Sequence, residues 1–321
     1  MKTFIHYFPV VLLLTVVSGL FVACGGDDDA TGGGSGTDTT PVVNNNRNNA
    51  AGYPERAGLE FPRIMGDANE QILVKRVTDA SDLVNYKNGI SYCIGYDLKY
   101  KLPRYVCYKM YNSNSSENVG RWYASEGEYQ YPEDTEITST YRLQNSADPY
   151  WNTGYDHGHM IPSAHRLSSS AANKQTFLLS NMMPQVNGFN AKVWANMENH
   201  IRNTWNKARF RDTLYVVTGG SYQKDEYVLG YIGSTSKGNR IPVPKYYWKA
   251  VLCKNASGYK ALGFWIEHKS NDDTVLKNYV VNIDQLEQLT GLDFFCNLPD
   301  NIENTIEAVP AATVATSFGF N

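Results

Sequence analysis

Trp194, Met197, Ile201 and Trp205 recur at spacings of three and four within residues 191–207. That period puts them on one stripe of a helix, and a stripe with two tryptophans must lie against an apolar surface supplied by the rest of the chain. Asn190 stands just ahead, where an Asn side chain commonly caps the free amides of a first turn. The surface on offer is written as strands. Residues 91–96 and 104–108 flank a turn at Lys101-Leu102-Pro103 and predict an antiparallel pair; residues 213–218, 246–253 and 261–266 read as further buried strands, and 176–180 as a short one. Residues 184–190 read as a connector, Gly219-Gly220 as a turn, and 284–290, closed by Gly291, as a short helix. No strand–helix alternation, internal repeat or glycine-rich phosphate loop is present, so the class is α+β. The polar stretch 112–153 is a long surface excursion, and such loops often carry function.

The N-terminus reads as an export signal. Lys2 precedes an apolar run from Phe8 to Ala23, followed by Cys24-Gly25-Gly26. This resembles a bacterial lipoprotein signal over residues 1–23, which implies a lipid on Cys24 and export to a bacterial membrane, with the outer-membrane surface as a further option. A single membrane-spanning helix is the alternative, and the run is barely long enough for one. Residues 24–56, rich in Gly, Asp, Thr and Asn, cannot bury enough apolar surface to offset their chain entropy and read as a disordered tether. Four cysteines remain, Cys93, Cys107, Cys253 and Cys296. Disulfides in any of three connectivities and reduced, buried thiols both stay open.

Formal net charge is −3; in residues 1–51 Lys2 and Arg47 stand against Asp27, Asp28, Asp29 and Asp38, a net −2, which leaves the body at −1. That excludes binding of nucleic acid by broad counterion release. It leaves room for an enzyme that touches a few phosphates with the help of a divalent cation. Reactive side chains are densest at Tyr155-Asp156-His157-Gly158-His159 and on to His165-Arg166. His157 and His159 share one face of a strand, which suits a zinc pair; one of them as a lone base beside a glycine turn is the second option, and histidines satisfied in a turn the third.

Taken with Asn181-Met182-Met183-Pro184-Gln185 and with Asn190, Trp194 and Glu198 at intervals of four, this cluster resembles the DNA/RNA non-specific endonuclease family of the ββα-metal superfamily. The family's blocks are Asp-Arg-Gly-His, Asn-Met-x-Pro-Gln and Asn-x-x-x-Trp-x-x-x-Glu, and all three occur here in order. The resemblance spans roughly residues 57–307, which sets a nuclease domain at 57–310 and a C-terminal tail at 311–321. It implies a central antiparallel sheet with flanking helices, and metal-dependent hydrolysis of DNA and RNA with little sequence specificity. His159 falls on the catalytic base and Asn190 on the ligand of Mg²⁺, for which Mn²⁺ would substitute. Glu198 is implied as an acidic residue holding a metal water, Asn181 as a hydrogen-bonding support, and Arg121 as the arginine that stabilises the transition state. Chemistry agrees: a neutral imidazole is a base near pH 7, and an amide oxygen is a hard, neutral donor suited to Mg²⁺.

Two positions depart from the pattern. His157 stands where the family has Arg and is implied, with Arg121, to bind the substrate phosphate, but an imidazole does so only when protonated, so a permanent charge is lost. His165 stands where Asp is frequent. The family includes dimers, and no patch in the sequence marks a homodimer interface. Two other functions compete: a zinc-dependent hydrolase using His157 and His159, and a surface lipoprotein of the same fold that only binds nucleic acid or glycans.

Overall fold

The computed structural model describes residues 43–321. The export signal, Cys24 and most of the proposed tether lie outside the described residues. The described residues form eleven strands: β1 (Glu70–Arg76), β2 (Ile90–Asp97), β3 (Leu102–Met110), β4 (Tyr155–His159), β5 (Met182–Val186), β6 (Thr213–Ser221), β7 (Val228–Ile232), β8 (Ile241–Pro244), β9 (Tyr246–Asn255), β10 (Gly258–Glu267) and β11 (Val280–Val281). Seven make one antiparallel sheet in the order β1-β2-β3-β6-β9-β10-β11, while β4-β5 and β7-β8 pair separately.

Alternate residues of the large sheet enter different cores, as the two-residue period of a strand requires. Ile94, Tyr108, Val216, Tyr247, Val251 and Phe264 join one cluster; Cys93, Cys107, Val217, Trp248, Ala250 and Leu252 join the other. The first face receives the helical run 187–205. Its Val193, Trp194, Met197, Ile201 and Trp205 are fully buried, and each large side chain so covered contributes roughly 1.5–3 kcal/mol. Two segments of this run, Asn190–Trp194 and Ile201–Trp205, are wound as wider π turns, a feature frequent at functional sites. The second face receives the helices Ile283–Thr290 and Asp300–Glu307.

The antiparallel pair, the buried strands and the short helix closed by Gly291 (φ 74°) are found as the sequence implies. Other segments differ. Residues 176–180 are not a strand: Ser169 caps the helix Ser170–Gln175 by accepting from the Ala172 amide at 3.2 Å, and the chain then tightens into a 3₁₀ turn, Leu179–Asn181. The first part of the connector, to Val186, is strand, paired with β4. Gly219 and Gly220 lie inside β6, where a Cβ on Gly219 would come within 2.6 Å of the Trp248 ring; close packing, not a turn, requires glycine there.

Both ends of the described chain are docked. Asn44 donates to the carbonyls of Cys296 (3.1 Å) and Leu298 (2.5 Å), and Asn48 to that of Pro62 (3.1 Å), so this part of the expected tether belongs to the domain. The expected tail forms the helix Ala311–Ser317, with Val314 and Phe318 buried and the Trp205 indole donating to the Phe318 carbonyl at 2.9 Å. Among the described residues the four cysteines, Cys93, Cys107, Cys253 and Cys296, are free, buried thiols. Among the described residues no helix is long and apolar enough to cross a membrane.

Candidate active site

The site grows from the β4 strand outward. Gly158 is needed because a Cβ there would meet the Gln185 side chain at 2.4 Å, so β4 and β5 approach closely only with glycine. On either side of it His157 and His159 share one face of the strand. His157 is not free to grip a ligand. Its Nε2 pairs with Asp148 at 2.8 Å, and its ring is clamped between Tyr131 (3.7 Å, 6° between planes) and Tyr150 (4.2 Å).

His159 is the opposite case. Its Nε2 is shielded from solvent and has no protein partner. Burial, then the Arg121 and His157 charges, lower its pKa to about 3, so the ring is a neutral base across the physiological range. Phe177 stands edge-on to it at 5.1 Å, and the Arg121 guanidinium lies over the Phe177 ring, 4.6 Å from its centroid.

Four hydrogen bonds fix the helical run 187–205 against this strand and its extension. Asp156 Oδ2 accepts from Asn190 Nδ2 at 3.0 Å and also from Asn187 Nδ2 at 3.0 Å. The Trp194 indole donates to the His159 carbonyl at 3.2 Å. His165 Nε2 bonds the Glu198 carbonyl at 3.1 Å while its Nδ1 faces the Tyr108 hydroxyl at 3.0 Å. Since Nε2 meets an acceptor it carries the proton, and burial keeps this ring neutral. Asn181 spends its whole amide on backbone, bonding the Ile161 amide and carbonyl (both 3.0 Å) and the Thr176 carbonyl (2.7 Å). It therefore locks the segment that follows His159.

Glu198 has a buried Oε1 without a partner. Burial lifts its carboxyl to about 7, while Lys249 and Arg121 pull the other way. Lys249 itself is fully buried in β9, with its ammonium 3.8 Å from the Trp194 centroid and donating to Thr218 Oγ1 at 3.1 Å; burial lowers it to about 8. The wide turn from Asn190 to Trp194 rotates less per residue than an α-turn, which brings the eight-residue step from Asn190 to Glu198 closer to whole turns.

These residues suit a hard divalent cation. Asp156 takes the Asn190 amide by its nitrogen, and among the described residues no donor reaches the amide oxygen. Glu198 adds an orphaned carboxylate oxygen on the same helical run. Oxygen donors of this kind, few in number, match Mg²⁺, which keeps most of its waters. The expected zinc pair is not assembled: His157 Nε2 is engaged by Asp148, and among the described residues the one group of three His, Cys, Asp or Glu side chains with converging ligand atoms lies elsewhere.

Sequence reasoning brought His159, Asn190, Glu198 and Arg121 to one region. It missed Asp156 as the anchor of Asn190, the Tyr131–Tyr150 clamp, and Lys249. Lys249 alone left a legible signal, a lysine in the middle of an apolar strand.

Residues 69–301 match the family model described as DNA/RNA non-specific endonuclease. A nuclease of Nostoc sp. is 30% identical over 213 residues, 61% of this chain and 73% of that protein. A nuclease of Serratia marcescens is 26% identical over 62% of this chain and 77% of its own length. A solved structure of EndoG bound to EndoGI, described as showing the mechanism of EndoG inhibition, superposes with a TM-score of 0.55 at 24% identity, covering 69% of this chain and 94% of that one. The last likeness shows the ββα-metal fold.

Proposed function

Because the chain belongs to the DNA/RNA non-specific endonuclease family, we propose that it hydrolyses phosphodiester bonds in both DNA and RNA, with His159 as general base and a magnesium ion held by Asn190. The observation that carries this reading is the Asp156–Asn190 bond, which engages the Asn190 amide through its nitrogen and keeps its oxygen for a cation.

The unpartnered Nε2 of His159 accepts the proton of a water aligned with the phosphorus. Arg121 supplies a fixed positive charge to the phosphate oxygens, a task that falls to it because His157 has replaced the family arginine and is occupied by Asp148. Glu198 accepts hydrogen bonds from water around Asn190, and Asn181 keeps the backbone after His159 from shifting. Magnesium, or manganese in its place, supplies the charge that neutralises the scissile phosphate. Export and a lipid on Cys24 complete the proposal, which would set the enzyme on a bacterial membrane facing its substrate; self-association into a dimer remains part of the same expectation.

The test is cleavage of supercoiled plasmid and of RNA by the purified full-length chain with Mg²⁺, Mn²⁺, Zn²⁺ or chelator. Both substrates should be degraded with Mg²⁺ and Mn²⁺ and neither with chelator. Binding of both without cleavage would favour a nucleic-acid-binding lipoprotein, and activity with Zn²⁺ alone a zinc hydrolase.

A further inference from the structure

The face of the sheet away from the helical run 187–205 carries a second group of acids. The helices Ile283–Thr290 and Asp300–Glu307 pack there through Ile283, Leu286 and Ile306. Their ligand oxygens from Asp284, Glu287 and Glu307 lie within 4.8 Å of one another. Glu307 is only 5% exposed, and its Oε1 has no hydrogen-bond partner. A buried carboxylate oxygen left bare costs free energy unless something answers it.

Among the described residues no hydrogen-bond partner answers it. Burial first, then the negative charges of Glu287, Glu303, Asp293 and Asp284, push its carboxyl up to about 10. The outer two acids are engaged elsewhere: Asn46 Nδ2 donates to Glu303 at 3.0 Å and to Asp293 at 3.3 Å, and Arg63 lies 3.8 Å from Asp293. Glu287 accepts from the Phe294 amide with Oε1 at 2.7 Å, which leaves its second oxygen available.

We propose that Asp284, Glu287 and Glu307 bind a Ca²⁺ ion that clamps the two C-terminal helices together, at a site separate from the catalytic metal. Ca²⁺ takes oxygen ligands at roughly 2.3–2.6 Å in flexible geometry, so any two ligands of one ion stand no more than about 5 Å apart, a limit that the three acids meet. Mg²⁺ asks for a tighter octahedron and gives up its waters reluctantly. The exposed Asp284 leaves one side open for water to complete the coordination.

Thermal unfolding and calorimetric titration of the full-length chain, with CaCl₂, MgCl₂ or chelator near neutral pH, decide the matter. Ca²⁺ should raise the unfolding temperature and bind at this site as well as at any catalytic one. Glu307→Gln should lose that rise, gain stability in chelator because the cost of burying an acid among other acids is gone, and still cleave plasmid with Mg²⁺ at the wild-type rate. Should Glu307→Gln not fold, the exposed Asp284→Asn serves, with Ca²⁺ affinity lower by about tenfold or more. Asn190→Ala should keep the Ca²⁺ response, since that residue belongs to the other face. No Ca²⁺-dependent rise in the wild type, or a rise that survives Asp284→Asn at full affinity, would overturn the assignment and leave protons as the occupants.

Discussion

Asp156 accepts the side-chain amide of Asn190 at 3.0 Å, so the strand that presents His159 also sets the rotamer of the residue proposed to hold the metal. Base and ligand are thereby referenced to one backbone segment, with the Trp194–His159 carbonyl bond as a second tie four residues along the helix. Orientation of a ligand by its neighbour commonly governs metal affinity as strongly as the ligand's own chemistry.

Asp156→Ala should therefore raise the Mg²⁺ concentration for half-maximal RNA cleavage by roughly 10–100-fold. Asp156→Asn, which keeps an acceptor oxygen, should stay much closer to the wild type. Equal Mg²⁺ requirements in the wild type and the alanine variant would show that Asp156 does not orient the site.

His159→Ala should lower the rate of DNA and RNA cleavage by about 10²–10⁴-fold, the range for loss of a general base. Its Nε2 bonds no protein group, so the unfolding midpoint should hardly move. Cleavage within a few-fold of the wild type would remove His159 from the mechanism.

His268 gives the fold a defined response to acid. Its Nε2 accepts from the Val186 amide at 2.8 Å and its Nδ1 donates to the Pro244 carbonyl at 2.8 Å, a pairing available only to the neutral ring. Burial lowers its pKa to about 4, below the ordinary 6.5. As pH falls below 6.5 the unfolded chain takes a proton that the folded chain refuses, so this contribution is complete above 6.5 and is lost on the way down to about 4. The loss amounts to roughly 3 kcal/mol over that window. Urea unfolding at pH 7.5 and pH 4.5 should show the wild type losing about 2 kcal/mol more than His268→Gln, whereas identical pH dependence would contradict the assignment.

Cys24→Ala should release the protein from membranes of the expressing cell into the soluble fraction. Persistent membrane association of that variant would favour a spanning helix at residues 1–23.

What was legible in the sequence followed from local periods and contiguous blocks. The stripe Trp194-Met197-Ile201-Trp205 marks its own helix, and the five inner strands of the large sheet announce themselves by apolar runs between turns, while the edge strands β1 and β11 do not. Residues 176–180 look like a strand because Thr, Phe and Leu favour one, yet the Ser169 cap upstream starts a helix that carries the chain past them. The run Asn44–Asn48 has the composition of a solvated tether; its partners, the carbonyls of Cys296 and Leu298, lie some 250 positions away and no local pattern names them. Asp156 and the Tyr131–Tyr150 clamp were hidden for the same reason, since their roles exist only once distant segments meet. Arg121 was placed from a loose match in a polar stretch, and its charge does act on both His159 and Glu198.

The central claim is that a cation held by Asn190 and a proton acceptor at His159 act on one phosphate. The initial rate of plasmid nicking as a function of Mg²⁺ concentration, measured for the wild type and for Asn190→Ala at equal fold stability, tests it most directly. The account predicts a curve for the variant displaced to much higher Mg²⁺ with a lower ceiling. Superimposable curves would contradict it.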